Sequence, residues 1–86
     1  MKITIYTTRF CPYCLRAKAL LDSKSASYEE IAVDHDAEQR RIMEQRSGRT
    51  SVPQIFFGDE HIGGCDDLHE LEAAGELDAR LAGAAS

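Results

Sequence analysis

The sequence predicts an α/β fold in which a four-stranded mixed sheet is flanked by helices. Stretches rich in β-branched and aromatic residues alternate with longer stretches of helix formers, in the order β-α-β-α-β-β-α. The opening strand–helix–strand unit implies parallel strands joined by a right-handed crossover. The two later strands are separated by a tight turn, which implies an antiparallel hairpin. A length of 86 residues predicts one domain over residues 1–86.

The first strand and helix are the clearest elements. Over residues 2–7, Ile3 and Ile5 alternate with Lys2, Thr4 and Tyr6, which predicts a strand in a sheet that has helices on both faces. The next helix has Cys11 as its N-cap, Pro12 as its first residue and helix-forming sequence up to residue 24. The other elements are predicted as strands over residues 28–33, 54–57 and 61–62, as helices over residues 37–47 and 65–73, and as a short last helix over residues 76–81.

Composition excludes several functional classes. The formal net charge is −5 and the basic residues do not cluster, so we expect no nucleic-acid partner. The apolar runs are too short to span a bilayer, and no apolar signal segment precedes the first strand. Three cysteines, an odd number, favour a reducing compartment. These observations predict a cytoplasmic monomer without membrane association.

The segment that carries the chemistry is C-P-Y-C at residues 11–14, at a strand-to-helix junction. A helix N-terminus has unpaired N–H groups and about half a positive charge, which favours a thiolate over a thiol. Cysteines in such settings have pKa values lowered from about 8.5 to roughly 3.5–7.5. The pattern therefore predicts thiol–disulfide exchange, with Cys11 as the nucleophile and Cys14 as the resolving cysteine.

Two other interpretations of C-x-x-C are less favoured. The motif is also half of many zinc sites, but such sites need a second pair of ligands. The chain offers only Cys65 and three scattered histidines, so we expect no metal. A static structural disulfide is disfavoured because a two-residue spacer at a helix start makes a strained, reducible bond.

Three motifs at matching positions resemble the glutaredoxin family. They are C-P-Y-C after the first strand, S-V-P before the third strand and G-G-C-D-D before the third helix, and the likeness runs from residue 1 to about residue 81. The resemblance, to bacterial-type dithiol members, implies a thioredoxin-like fold and a glutathione-dependent thiol–disulfide oxidoreductase. Glutathione is then the co-substrate, regenerated by glutathione reductase. The implied protein substrates carry disulfides or glutathione mixed disulfides, and ribonucleotide reductase is one that the family allows.

The resemblance also implies a set of glutathione contacts. Tyr13 matches the aromatic residue beside the glutathione sulfur, and Val52 matches the residue whose backbone pairs with the cysteinyl part. Pro53 matches a cis-proline that faces the C-x-x-C loop. The remaining matches are Ser51 in place of the more usual threonine, Gly64, Cys65 and Asp66 at the γ-glutamyl end, and Arg40 near the glycyl carboxylate. One departure is Thr8, where many family members have lysine.

Two alternative functions remain beside the glutathione-dependent one. They are a redoxin served by thioredoxin reductase and an iron–sulfur carrier that uses Cys11 and glutathione. The sequence leaves Arg40 and Arg49 equally compatible with a ligand contact and with a solvated surface. Lys18 is interpreted as a surface residue, and Phe10 as part of the core or of the site wall.

Overall fold

The computed structural model describes residues 2–85, and the side chains of residues 2–83. Within this range the element order confirms the prediction, and the last helix extends beyond its predicted end at residue 81. The elements are β1 (Ile3–Thr7), α1 (Pro12–Ser23), β2 (Glu29–Ala32), α2 (Ala37–Ser47), β3 (Gln54–Phe57), β4 (Glu60–Gly63), α3 (Cys65–Ala73) and α4 (Leu77–Ala85).

The sheet has four strands in the order β2-β1-β3-β4. Strand β1 pairs in parallel with β2 and antiparallel with β3, and β3 forms an antiparallel pair with β4. The mixed sheet is therefore confirmed. Its first strand lies in the interior of the sheet, so the loop that follows β1 emerges between neighbouring strands.

Helices cover both faces of the sheet, as predicted. Ile3 and Ile5 pack with residues of α1, α3 and α4 on one face. On the other face Tyr6 packs with Met43 of α2 and with Phe56 of β3. Every residue of β1 is buried between these two layers. Alternation reports an exposed face only where no second layer covers the sheet.

The ends of the helices follow local signals in the sequence. The Asp36 carboxylate accepts a hydrogen bond from the Gln39 N–H at 3.0 Å and begins α2. Gly48 ends α2 in a left-handed conformation with φ of 70°, which a residue without a side chain adopts at little cost. Among the described residues, no helix is long and apolar enough to cross a membrane.

Candidate active site

The side chain of Cys11 forms the N-cap of α1, as the sequence predicts. Its Sγ accepts a hydrogen bond from the Cys14 N–H at 3.3 Å. Pro12 occupies the first turn, where its missing N–H costs no intrahelical hydrogen bond. The Cys11 thiol is half-buried and donates a hydrogen bond to the Val52 carbonyl oxygen, with a sulfur–oxygen distance of 3.8 Å. The Cys11 sulfur is therefore held between a helix N-terminus and the strand edge at Val52.

Cys14 has a different environment, although it lies within one helical turn. Only 1% of the residue is exposed. Burial, together with the hydrogen bond and charge of Cys11, raises the pKa of its thiol to about 12. The Thr8 backbone N–H and the Lys18 ammonium act in the opposite direction. Both cysteines are free thiols, so the accessible sulfur is Cys11 and the protected one is Cys14.

An open cleft of about 230 Å³ borders this pair. Seven of its lining residues belong to the glutathione set that the resemblance implies: Tyr13, Ser51, Val52, Pro53, Gly64, Cys65 and Asp66. Arg49 and Asp67 complete the lining. The structure thus brings together residues from the start of α1, the loop before β3 and the start of α3.

One wall of the cleft is the loop before β3. The Val52–Pro53 peptide bond is cis, which confirms the conformation implied for Pro53. Gln54, fully buried, donates from Nε2 to the Ser51 carbonyl oxygen at 2.9 Å. Its Oε1 lies 2.7 Å from His61 Nε2, which donates when that nitrogen carries the proton. The buried side-chain amide of Gln54 therefore fixes the position of this wall through its hydrogen bonds.

The opposite wall is the N-terminus of α3. The Asp67 carboxylate accepts hydrogen bonds from the Gly64 N–H at 2.9 Å and from Arg49 Nη1 at 3.0 Å. These two donors hold the Asp67 pKa below its ordinary value. Helix geometry leaves the N–H groups of Cys65 and Asp66 without intrahelical acceptors, because they lie in the first turn. This end of the helix suits a carboxylate ligand.

The Cys65 thiol itself is turned into the protein. The residue is 5% exposed and packs in the same core as Ile5 and Leu68. Burial, followed by the nearby Asp66 charge, raises the pKa of this thiol. The backbone of Cys65, rather than its sulfur, therefore faces the cleft.

Comparison with known proteins identifies the family. The model of the glutaredoxin family matches residues 3–62. Glutaredoxin 3 of Escherichia coli is 57% identical over 79 residues, which cover 92% of this chain and 95% of the relative. The chain belongs to the glutaredoxin family. It is therefore a thiol–disulfide oxidoreductase.

Solved glutaredoxin structures have the same fold. The glutaredoxin of Brucella melitensis is 52% identical, with a TM-score of 0.83 and coverage of 94% of this chain and 88% of the other. A buckwheat glutaredoxin–glutathione complex is 31% identical, with a TM-score of 0.88 and coverage of 96% and 78%. These likenesses extend the glutaredoxin assignment beyond the segment that the family model matches, and the fold is thioredoxin-like.

Arg40 and Arg49, the two arginines that could contact a ligand, lie in different places in this glutaredoxin. Arg40 does not line the cleft: its Nη1 donates to the Thr50 carbonyl oxygen at 3.1 Å and lies 3.6 Å from the Glu44 carboxylate. Arg49 lines the cleft and ties the loop before β3 to α3 through Asp67. The sequence patterns did not single out Asp67 for this role. An acidic residue three positions after a helix-capping glycine was the available signal.

Two further expectations can be compared with the structure. Phe10 is 92% exposed, so its interpretation as core or site wall is wrong, because the loop after β1 turns it toward solvent. Within the described residues, no three His, Cys, Asp or Glu side chains come close enough together to hold a metal ion.

Proposed function

We propose that this glutaredoxin uses glutathione to reduce protein–glutathione mixed disulfides and protein disulfides. One observation carries the proposal: the cleft beside Cys11 combines the backbone edge at Val52 with the α3 N-terminus and the exposed Asp66 carboxylate. An extended peptide pairs with such an edge as an added strand. Its γ-glutamyl carboxylate binds the helix N–H groups, and its ammonium binds Asp66. The similar buckwheat glutaredoxin is a complex with glutathione, which supports this ligand.

With a glutathionylated protein, the Cys11 thiolate attacks the glutathione sulfur. The protein sulfur leaves as a thiolate and takes a proton from water, while a disulfide joins Cys11 to glutathione. A second glutathione, as its thiolate, attacks the glutathione sulfur of that disulfide and releases Cys11. Two glutathione molecules leave as glutathione disulfide, so the two electrons come from glutathione.

With a protein disulfide, both active-site cysteines take part. Cys11 opens the substrate disulfide and forms a mixed disulfide with one of its sulfurs. The Cys14 thiolate then attacks Cys11 Sγ, and the substrate leaves as a dithiol. Glutathione reduces the resulting Cys11–Cys14 disulfide. The proximity of Cys14 to the Cys11 sulfur, marked by the 3.3 Å hydrogen bond from its N–H, supports this step.

The wider setting follows from the same chemistry. Glutathione disulfide is returned to glutathione by glutathione reductase and NADPH, in a cytoplasmic, reducing compartment. Substrates are proteins with accessible disulfides or glutathionylated cysteines, and ribonucleotide reductase belongs to that class. The protein acts as a monomer, because one chain supplies Cys11, Cys14 and both walls of the cleft.

A coupled assay tests the glutathione dependence. A small glutathione mixed disulfide is supplied with glutathione, glutathione reductase and NADPH, and in a parallel arm with thioredoxin reductase and no glutathione. NADPH consumption confined to the first arm supports the proposal. Consumption confined to the second arm contradicts the glutathione site and favours a redoxin served by thioredoxin reductase.

Two serine variants test the division of labour. We expect Cys11→Ser to reduce both activities by at least about 1,000-fold, because a serine hydroxyl does not ionise near neutral pH. Cys14→Ser retains reduction of the glutathione mixed disulfide and loses reduction of protein disulfides. Retained activity in Cys11→Ser, or equal loss of both activities in Cys14→Ser, would contradict the mechanism.

A further inference from the structure

An ion pair between Lys18 and Glu30 lies close to Cys14. Lys18 Nζ is 3.0 Å from the Glu30 carboxylate, and the same oxygen accepts a hydrogen bond from the Thr7 hydroxyl at 2.7 Å. The Lys18 side chain is 24% exposed, so this residue lies at the surface but is largely covered by its neighbours. Thr7, at the end of β1, is 1% exposed. Glu30 therefore holds the Lys18 ammonium against the protein.

The ammonium is held on the face of α1 that carries Cys14. Residues one turn apart in a helix are neighbours on its surface, with Cβ atoms roughly 5–6 Å apart. Cys14 is buried, so the water that would screen the two charges is largely excluded. Among the described residues, the charged and titratable groups that act on the Cys14 thiol are Cys11 and Lys18. Glu30 lies beyond Lys18, and Thr8 contributes a backbone N–H.

The balance of these groups changes during catalysis. In the free enzyme, the charge and hydrogen bond of Cys11 oppose ionisation of Cys14. In a mixed disulfide Cys11 carries no charge, so that opposition disappears. Burial then still disfavours the Cys14 thiolate, and the Thr8 N–H and the Lys18 ammonium favour it. Of the two groups that favour the thiolate, Lys18 is the one that carries a full positive charge.

We propose that Lys18, held by a Glu30 carboxylate that Thr7 in turn fixes, is a positioning residue for the resolving step, where it stabilises the Cys14 thiolate that attacks the mixed disulfide. This inference rests on the dithiol mechanism of the proposed function. The Cys14 proton passes to a solvent base, and a bond forms between the two active-site sulfurs. The bond from Cys11 to the substrate sulfur breaks, and the leaving thiolate takes a proton from water. The substrate gains two electrons, and the enzyme dithiol loses them.

A chromogenic aromatic disulfide separates the two steps without glutathione. Attack by Cys11 releases one coloured thiolate, and displacement by Cys14 releases the other, so stopped-flow absorbance shows two phases. The Cys14→Ser variant lacks the second phase and assigns it. Because this probe needs no glutathione, the test of Lys18 can fail or succeed independently of the coupled assay for glutathione dependence.

Replacing Lys18 by glutamine removes the charge and keeps much of the side-chain length. A charge at this range changes the thiolate fraction about tenfold. A more basic thiolate is also a better nucleophile, which offsets about threefold of that change. We therefore expect Lys18→Gln to slow the second phase about threefold and to leave the first phase unchanged. The second-phase rate reaches the wild-type value roughly half a pH unit higher.

Two variants control for charge and for general effects on the helix. Lys18→Arg keeps a cation near Glu30 and restores most of the second-phase rate. Lys24→Gln removes another partly buried lysine, which pairs with Glu72 and Asp78 at the far end of α1, and leaves both phases unchanged. Equal slowing of both phases in Lys18→Gln, or an unchanged second phase, would overturn the proposal. So would a Lys18→Arg variant as slow as Lys18→Gln.

Discussion

Two helix N-termini border the same cleft, and each carries a cysteine. At the start of α1 the Cys11 sulfur itself accepts the hydrogen bond from the first turn. At the start of α3 the cap residue is Gly64, which has no side chain, and the Cys65 sulfur is buried in the core. The same backbone feature thus serves two purposes. A helix N-terminus capped by a cysteine sulfur favours the thiolate form. A helix N-terminus whose cap residue has no side chain leaves first-turn N–H groups that suit an external carboxylate.

The strongest test of this difference measures the reactivity of the Cys11 and Cys65 thiols. We expect iodoacetamide near neutral pH to alkylate Cys11 at least about 100-fold faster than Cys65, because burial covers the Cys65 sulfur and raises its pKa. Peptide mass spectrometry of a quenched time course measures both rates. In the chain unfolded with urea, the two cysteines should react at similar rates. Similar rates in the folded protein would contradict the distinction.

The next largest effect concerns the geometry at the start of α3. Gly63 has φ of 121°, and a Cβ atom at this position would overlap the Asp67 carboxylate that caps the helix. We expect Gly63→Ala to lower the free energy of unfolding by about 2–3 kcal/mol. Gly48→Ala is the matched control: its φ is also positive, but no atom lies within 4 Å, so about 1 kcal/mol is expected. Urea denaturation measures both, and equal losses would show that Asp67 does not constrain Gly63.

A smaller effect tests whether the open end of α3 binds glutathione. Asp66→Asn removes the charge assigned to the γ-glutamyl ammonium, and we expect the KM for glutathione to rise about tenfold with little change in kcat. Asp78→Asn is the control, because Asp78 also lies in a first helical turn but does not line the cleft. A rise in KM shared by both variants would indicate a general charge effect rather than a contact.

The smallest effect is the pH dependence of the α3 cap. Because its folded pKa is lowered, Asp67 contributes stability that is complete above its ordinary value of 3.8 and is lost as pH falls through the folded value. We expect Asp67→Asn to be less stable than wild type at about pH 7 and the difference to shrink toward about pH 2. Urea midpoints across this range measure the difference. A gap that stays constant with pH would exclude the carboxylate as its source.

Local signals in the sequence were sufficient for the parts of the molecule that depend on neighbours in the chain. Cys11 before Pro12, Asp36 at the start of α2 and Gly48 at its end all act within one turn of a helix. Their hydrogen bonds join residues at most four positions apart, so their geometry is written in the local sequence. For the same reason the place of Cys11 at the start of α1 could be predicted before the structure.

The resemblance supplied most of the cleft lining, but of the two arginines it named Arg40, whereas Arg49 lines the cleft. Arg49 enters the cleft because Asp67, eighteen positions later, binds its guanidinium. Arg40 contacts the Thr50 carbonyl oxygen and the Glu44 carboxylate and does not line the cleft. Both arginines lie in polar surroundings, so hydropathy does not separate them. Their positions depend on which partners the folded chain brings near.

The sequence by itself determined the order of elements, the helix caps and the place of the C-x-x-C motif at the start of α1, because these depend on short-range sterics and hydrogen bonds. Only the tertiary structure decided that Asp67 closes one wall of the cleft and that Lys18 pairs with Glu30 close to Cys14. These features join residues far apart in the chain. Packing brings them together, and burial then gives their charges an influence that they would lack in water.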